Sequence, residues 1–406
     1  MEEWKEYKMG EICTKIGSGA TPKGGKEAYL GGDTSLIRSQ NVLDFSFSWD
    51  GLAYIDDEQA AKLNGVIIER GDVLLNITGD SVARACIVPE SALPARVNQH
   101  VSIIRGNTSI VLNDYILYFL QYKKPDLLSL SQGGATRNAL TKGMIEDLLI
   151  PLPPLSKQAK IVKVLKSLDN KIELNRRIND NLEQQAQALF KSWFVDFEPF
   201  KDGEFEETEL GLIPKGWEIV SLSAIADYIN GLAMQQYRPI EGEKGLSVLK
   251  IKELGQGNTD DSSELCSPSL IGEKYIIDDG DIIFSWSGTL MVKVWCGGKC
   301  GLNQHLFVVE PKDYPHWFAY QWTKHHLDNF IHIAKDKAVT MGHIKRGELD
   351  KAKVVVPNGT SMVVIDSMMK PLHDQIISNM KESRRLTFLR DTLLPRLMSG
   401  ELKINS

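Results

Sequence analysis

LSKQAKIVKVLKSLDNKIELNRRINDNLEQQAQALFKSWFVDFEPF, residues 155–200, decides how this chain is read. Taken at helical spacing it gives Ile161, Leu165, Leu168, Ile172, Asn175, Asn179, Leu182, Ala186, Leu189 and Trp193. The steps alternate between four and three without a slip. That is a heptad seam on a single helix of about forty residues, or ~60 Å of rod. Helices in globular domains average about three turns, so this one is a spacer or a coiled-coil arm.

The stripe has a second copy. Shifted by 204 residues it returns as Ile365, Met369, Leu372, Ile376, Asn379, Ser383, Leu386, Arg390, Leu393 and Leu397. Asn175 then falls on Asn379, and Asn179 on Ser383. A domain-sized connection lets the second helix return antiparallel to the first. Polar residues at matched seam positions would fix the register at some cost in stability. The expected interface is Leu165, Leu168, Ile172, Asn175, Leu182 and Leu189 against Met369, Leu372, Ile376, Asn379, Leu386 and Leu393. The plainer alternative is two unrelated amphipathic helices, each packed on its own domain.

The repeat extends beyond the helices. Trp4 matches Trp217, Ser35–Val42 matches Ser247–Leu254, and Gly71-Asp72 matches Gly280-Asp281. Asn98-Gln-His100 matches Asn303-Gln-His305, and Leu148–Pro151 matches Val354–Pro357. Short β-rich runs recur in both halves: Val66–Glu69, Asp72–Ile77 and Val101–Arg105, then Tyr275–Ile277, Asp281–Phe284 and Leu306–Val309. Helical pieces are expected at 113–122 and 315–334. The fold class is α+β: two similar strand-rich domains, each followed by a long helix, the helices pairing as an antiparallel coiled coil. The expected divisions are a first domain at 1–154, its helix at 155–200, a linker and second domain at 201–360, and the second helix at 361–406.

A formal charge of −6 speaks by itself against a polyanion partner. Its location removes that objection. Seven acidic residues between Asp196 and Glu209 face Lys201 alone, which accounts for the whole imbalance and marks a surface connector between the two halves. Five cysteines, an odd number spread over a long chain, fit reduced thiols in the cytoplasm. The opening Met1-Glu-Glu-Trp-Lys5 does not read as a signal peptide, and no apolar run approaches the ~18 residues of a membrane span.

No phosphate-binding glycine loop and no His-Glu-x-x-His is present. Gly17-Ser-Gly19 reads as a turn. Cys296-Gly-Gly-Lys-Cys300 with nearby His305 has the look of a zinc site. It lacks a fourth ligand and a counterpart in the first half, so a Gly-Gly hairpin with two idle thiols is the better reading, and no metal is expected. The twice-occurring Asn-Gln-His invites a general base. No nucleophile or carboxylate recurs beside it, so each His is read as hydrogen-bonded at a strand edge. The Gly-Asp pairs read as hairpin turns. The loops that follow differ: Asn76-Ile-Thr-Gly-Asp80 against Ser285-Trp-Ser-Gly-Thr289, and Gln132–Asn138 against Lys335–Met341. A shared frame carrying dissimilar polar loops suits two recognition domains with different targets.

Taken together, several features resemble the specificity subunits of type I restriction-modification systems. They are Trp4 with Met9 and Ile12, Gly71-Asp72, Asn98-Gln-His100, and Ile150-Pro-Leu-Pro-Pro154 with Gln158. Ile213-Pro-Lys-Gly-Trp217, Gly280-Asp281, Asn303-Gln-His305 and Leu393-Leu-Pro-Arg-Leu-Met-Ser-Gly-Glu401 complete the set. The resemblance covers the whole length. It departs at Val356-Pro-Asn358, which lacks the second proline and the following glutamine, so the start of the second helix is less defined. It implies a non-catalytic chain with two target-recognition domains that read a bipartite site in double-stranded DNA. It also implies a helical spacer that docks two methyltransferase subunits, with two restriction/translocase subunits completing the complex. S-adenosylmethionine would belong to the methyltransferase partner, leaving no cofactor on this chain and no membrane role. A scaffold that binds protein alone is the competing reading, and a fused enzyme the third.

On this reading the DNA-facing residues of the first half are Thr21, Lys23, Arg38, Ser39, Gln40, Asn41, Asn76, Thr78, Asp80, Arg84, Thr136, Arg137, Asn138 and Lys142. Those of the second half are Lys250, Lys252, Ser285, Trp286, Ser287, Thr289, Lys337, Thr340, His343 and Lys345.

Overall fold

The computed structural model describes residues 4–22, 29, 31–132, 138–336 and 342–403. The chain forms two compact units, Met1–Asn170 with Thr387–Ser406, and Lys171–Leu386.

In the first unit the order is β1 (Lys5–Lys8), α1 (Met9–Ile12), β2 (Cys13–Ser18), β3 (Thr34–Ile37), β4 (Ala53–Ile55), α2 (Asp57–Lys62), β5 (Val73–Asn76), β6 (Ala85–Ile87), β7 (Ala95–Val97) and β8 (Val101–Gly106). Then come α3 (Asn113–Tyr122), α4 (Lys124–Ser131), α5 (Lys142–Glu146), β9 (Leu149–Leu152) and the long α6 (Leu155–Phe194). One sheet runs β2-β8-β5-β6, all antiparallel, and a smaller one runs β4-β3-β7 with β3 parallel to β7. β1 pairs with β9, which sets the entry and exit of the domain side by side.

The second domain repeats this plan. A hairpin of β10 (Phe205–Thr208) and β11 (Gly211–Pro214) leads to β12 (Glu218–Ser221), α7 (Leu222–Ile225), β13 (Ala226–Asn230), β14 (Leu246–Leu249), α8 (Ile251–Gln256), β15 (Leu265–Cys266) and β16 (Ile276–Ile277). After these come β17 (Ile282–Ser285), β18 (Met291–Val294), β19 (Cys300–Leu302), β20 (Leu306–Pro311), α9 (His316–His325), α10 (Leu327–Asp336), α11 (Gly347–Lys351), β21 (Lys353–Val356) and α12 (Gly359–Met398). The sheets are β13-β20-β17-β18 and β15-β14-β19-β16, with β12 on β21. Apart from β10, β11 and β16, this is the first domain again strand for strand, including the parallel pair β14 and β19.

The central strands are continuous apolar runs because both of their faces are covered. In β5, Val73 and Leu75 enter one core cluster while Leu74 enters another. In β17, Ile282 and Phe284 point one way and Ile283 the other. Side chains alternate across a strand, so a run without polar residues belongs to a sheet buried on both sides.

Both long helices complete these cores. Ile161, Val162 and Leu165 of α6 join Leu394, Leu397 and Met398 of α12 in the first unit. Ala186, Phe190, Trp193 and Phe194 join Ile365 and Met369 in the second. All ten positions of each heptad stripe are buried or half-buried. The antiparallel pairing is visible at the polar seam positions. Asn379 Nδ2 donates to Asn179 Oδ1 (2.8 Å), Asn179 Nδ2 to Ile376 O (3.1 Å), and Asn175 Nδ2 to Glu382 Oε2 (2.8 Å) and Ser383 Oγ (3.3 Å). A slip of register would bury these amides against apolar neighbours, so they hold the alignment.

Four expectations are corrected. The Gly-Asp turns join no hairpin: β5 pairs with β6 and β8, and β16 lies in a different sheet from β17. Gly71 and Gly280 sit at φ +80° and +111°, and the following Asp caps its own turn, Asp72 Oδ2 accepting from Glu69 N and Asp281 Oδ2 from Asp278 N, each at 2.7 Å. The run Val66–Glu69 forms no strand; a single bridge from Ile67 to Arg96 stands where β16 meets β19. The Cys296–Cys300 segment crosses between sheets and is no hairpin; Gly298 N donates to Asp279 Oδ1 and its carbonyl accepts from Trp295 Nε1, both at 2.7 Å. The two thiols are buried, and burial pushes them up to about 11 and about 12. Lastly, the acidic connector carries the β10–β11 hairpin, seated by Phe200 against Trp217 with ring centroids 4.8 Å apart.

The start of the second long helix has its own device. Asn358 caps it, Oδ1 accepting from Ser361 N (2.9 Å). In α6 that anchoring falls to Gln158, buried and bonded to Leu112 N, Ile110 O and Pro153 O. Met362, at the matching position of α12, packs against the core instead.

His316 Nδ1 and His373 Nε2 lie 2.7 Å apart where α9 meets α12 within the second unit. Burial lowers both imidazoles from the ordinary value, His373 to about 4, with Asp374 and Glu183 opposing the shift and Lys370 adding to it. A His whose folded pKa is depressed favours folding only while neutral. That contribution is complete above pH 6.5 and is lost as pH falls toward about 4. The stability of this unit against urea should therefore fall between pH 7.5 and 5, by about 2 kcal/mol at most from His373. His373→Gln should flatten part of that dependence; an unchanged pH profile would refute the assignment.

Candidate nucleic-acid interface

The loop after β5, the turn before β8 and the segment before α5 converge on one rim in the first domain. Thr78 bridges Ala139, Gly79 N donates to Asn138 O (3.1 Å), and Leu140 N to Ile77 O (2.8 Å). The second domain repeats each bond. Ser287 bridges His343, Gly288 N donates to Gly342 O (3.0 Å), and Ile344 N to Trp286 O (3.2 Å). A third loop is built alike in both: Arg38 N donates to Asn41 Oδ1 (3.0 Å), and Lys250 N to Glu253 Oε2 (3.3 Å).

Of the expected DNA-facing residues, Arg38, Ser39, Gln40, Thr78, Asp80, Arg84 and Asn138 lie on these first-domain loops and Thr21 follows β2, all exposed or half-buried. Thr21 reaches the rim through Gln99, to which its hydroxyl is hydrogen-bonded. Arg38 donates to Gly51 O and lies over the Tyr29 ring, 5.6 Å from its centroid. Lys142 stands apart on α5, paired with Glu146 (3.4 Å). In the second domain, Trp286, Thr289, His343 and Lys345 line the matching loops, and Lys250 and Lys252 open α8 beside them. A side chain at Gly288 would touch Ile251 at 3.4 Å. Lys250 and Arg238 share Glu264, whose carboxyl the Lys250 ammonium holds below its ordinary range. Lys23, Thr136, Arg137, Lys337 and Thr340 fall outside the described residues.

Four expected contacts are instead inside. Asn41 is fully buried, its amide nitrogen donating to Ser48 O and Asp50 O. Asn76 is fully buried, donating to Ser39 O (2.9 Å) and Val42 O (3.2 Å). Ser285 donates to Ser287 O (3.2 Å), and Ser287 is itself buried. These side chains shape the loops from behind, because the backbone groups they satisfy would otherwise be buried unpaired.

Residue-type reasoning missed Gln99, Gln304 and Asn230. Gln99 Nε2 lies 3.0 Å from His100 Nε2, whose Nδ1 lies 2.6 Å from Thr78 Oγ1. Gln304 Nε2 lies 3.4 Å from His305 Nε2. Asn230 Oδ1 accepts from Trp286 Nε1 (3.0 Å), and the Trp286 ring stands 6.1 Å from His305 and 6.3 Å from His343. The first rim is thus a chain of hydrogen-bonding groups, and the second is aromatic. The repeated tripeptide was a signal for the glutamines; nothing local pointed to Asn230.

No group of three or more metal-ligating side chains occurs among the described residues, and no described helix is long and apolar enough to cross a membrane. The family described as the type I restriction modification DNA specificity domain matches residues 1–184 and 214–386. The specificity subunit of the MjaIX type I restriction enzyme of Methanocaldococcus jannaschii is 27% identical, the match spanning 99% of this chain and 94% of that one. That of the HindI type I restriction enzyme of Haemophilus influenzae is 24% identical over 99% of this chain and 100% of its own length. In fold the chain is similar to the S subunit of a type I restriction-modification system from M. genitalium, with a TM-score of 0.54 at 14% identity, covering 97% of this chain and 96% of that one. Matched in both halves and built on one duplicated frame, the chain belongs to the type I restriction-modification DNA specificity family, as a non-catalytic specificity subunit with two recognition domains.

Proposed function

We propose that this chain reads a split DNA target, one half with each recognition domain, and that its paired helices set the gap between the halves. The same helices dock two methyltransferase subunits, and two restriction/translocase subunits complete the assembly. S-adenosylmethionine is held by the methyltransferase partner, none by this chain, and the complex works in the cytoplasm. One observation carries this reading. The rims of the two domains share their backbone bonds, yet one presents Thr21, Gln99 and Thr78 where the other presents Trp286 and His343. A frame that is kept while its presented side chains diverge is what reading two different sequences requires.

The exposed Lys252 and Lys345, together with the phosphate-facing loops, supply the electrostatic part of binding. Log affinity of the assembled complex for duplex DNA should fall linearly with log salt. In Lys252→Ala/Lys345→Ala the slope should be shallower by about two units. A chain that only organises other proteins would show no such slope, and salt titration of the two complexes separates the readings.

A further inference from the structure

The Asn-Gln-His tripeptide occurs once per domain, immediately before β8 and before β20. Its Asn makes the turn: Asn98 Oδ1 accepts from His100 N (3.0 Å), and Asn303 Oδ1 from His305 N (3.3 Å). Its His is the last residue before the strand. The Gln between them is left on the rim, exposed in the first domain and half-buried in the second. We propose that this glutamine is a base-reading residue, and that Gln99 is held in advance to receive the major-groove edge of an adenine. The proposal rests on the reading that each domain recognises DNA.

The orientation of Gln99 follows from what each group can do. An amide nitrogen only donates, so Gln99 Nε2 donates to His100 Nε2. That leaves the His100 proton on Nδ1, which donates to Thr78 Oγ1. An amide oxygen only accepts, so the Thr21 hydroxyl donates to Gln99 Oε1. The amide is pinned at both ends and, among the described residues, keeps one N–H and one lone pair without a partner. That pair complements adenine, which offers N7 as acceptor and the exocyclic amine as donor. Guanine offers two acceptors at the same place and would set its O6 against the glutamine oxygen.

Gln304 is not pinned in this way. Its contact to His305 is longer, at 3.4 Å, and His305 Nδ1 is buried with no partner among the described residues. Ser287 occupies the position of Thr78 but lies buried beneath the loop. The fixed amide belongs to the first domain, so base discrimination at this position should be sharper there.

The test uses the full chain assembled with its methyltransferase subunits and duplexes carrying the target mapped from host methylation. Each adenine is replaced in turn by 7-deazaadenine, which pairs normally but lacks the N7 acceptor. At one position in the half read by the first domain, binding should weaken roughly 10- to 100-fold. Gln99→Ala should lose the same factor on the native duplex and show no further loss with the analogue. Gln99→Glu, nearly isosteric but without the N–H, should behave alike. Unchanged sensitivity in the other half is the control for folding. A Gln99→Ala loss that is equal for every duplex, or a surviving sensitivity to the analogue, would overturn the proposal. So would failure of both variants to assemble, since Gln99 would then be a framework residue. A native complex indifferent to every analogue in that half would overturn the recognition reading itself, and the inference with it.

Discussion

Exchange of residues 5–152 for the matching domain of a relative is expected to replace one half of the recognised sequence and leave the other unchanged. The cut points are set by the fold. β1 and β9 pair from Lys5–Leu152 to Lys8–Leu149, so the ends of the domain are neighbours and one joint serves both. The incoming domain must still offer a backbone carbonyl and N–H where Ile110 and Leu112 meet Gln158, or α6 loses its anchor. Each mismatched base pair costs about 1–3 kcal/mol, so a new half-site differing at three positions should lower affinity for the old one by at least about a hundredfold. Mapping methylated adenines in cells carrying the hybrid reads the result directly. Change in both halves would mean that the domains do not read independently.

The second large effect is expected at Arg390. The residue is 9% exposed, its guanidinium bonded through Nη1 to Asp169 Oδ1 (2.9 Å) and through Nη2 to Asp391 (2.8 Å). It also lies over Phe45, with Cζ 3.7 Å from the ring centroid. Asp169 Oδ2 accepts from the Tyr118 hydroxyl at 2.5 Å. Arg390→Ala leaves a partly buried carboxylate with one neutral partner, and should destabilise the first unit by about 3–5 kcal/mol in urea unfolding. Arg390→Lys should recover little, since an ammonium cannot match the flat fork over Phe45 and Asp169. Arg390→Ala with Asp169→Ala should cost less than the two single changes added together. A loss under about 1 kcal/mol for Arg390→Ala would class the pair with ordinary surface bridges.

The helices and the duplication were legible because both are one-dimensional patterns. A heptad seam needs only spacing, and every seam residue named from spacing is buried or half-buried. The polar seam positions were legible too, but not which would face which: Asn175 meets Ser383 and Asn179 meets Asn379 across the pair. Where the reading failed, the deciding partner was remote in sequence or was the backbone. Asn76 is polar and ends β5 beside a loop that differs between the halves, yet its amide is taken by Ser39 O, 37 positions away. Asp72 looked like a hairpin residue, but it is bound by Arg105 through two contacts of 2.7 Å from another strand. Gln158 and Asn358 do one job by different chemistry, so no shared letter announced it.

The first unit is closed by a segment, Thr387–Ser406, that follows the whole of the second. During translation its apolar surface, including Ile161 and Leu165, waits for Leu394, Leu397 and Met398 to be made. At roughly 5–20 residues per second the ribosome needs on the order of ten to forty seconds to cover that interval. A premature stop just after Leu386 would therefore damage the domain that was synthesised first and spare the one synthesised last. Nascent chains must be shielded over that window against sticking to one another.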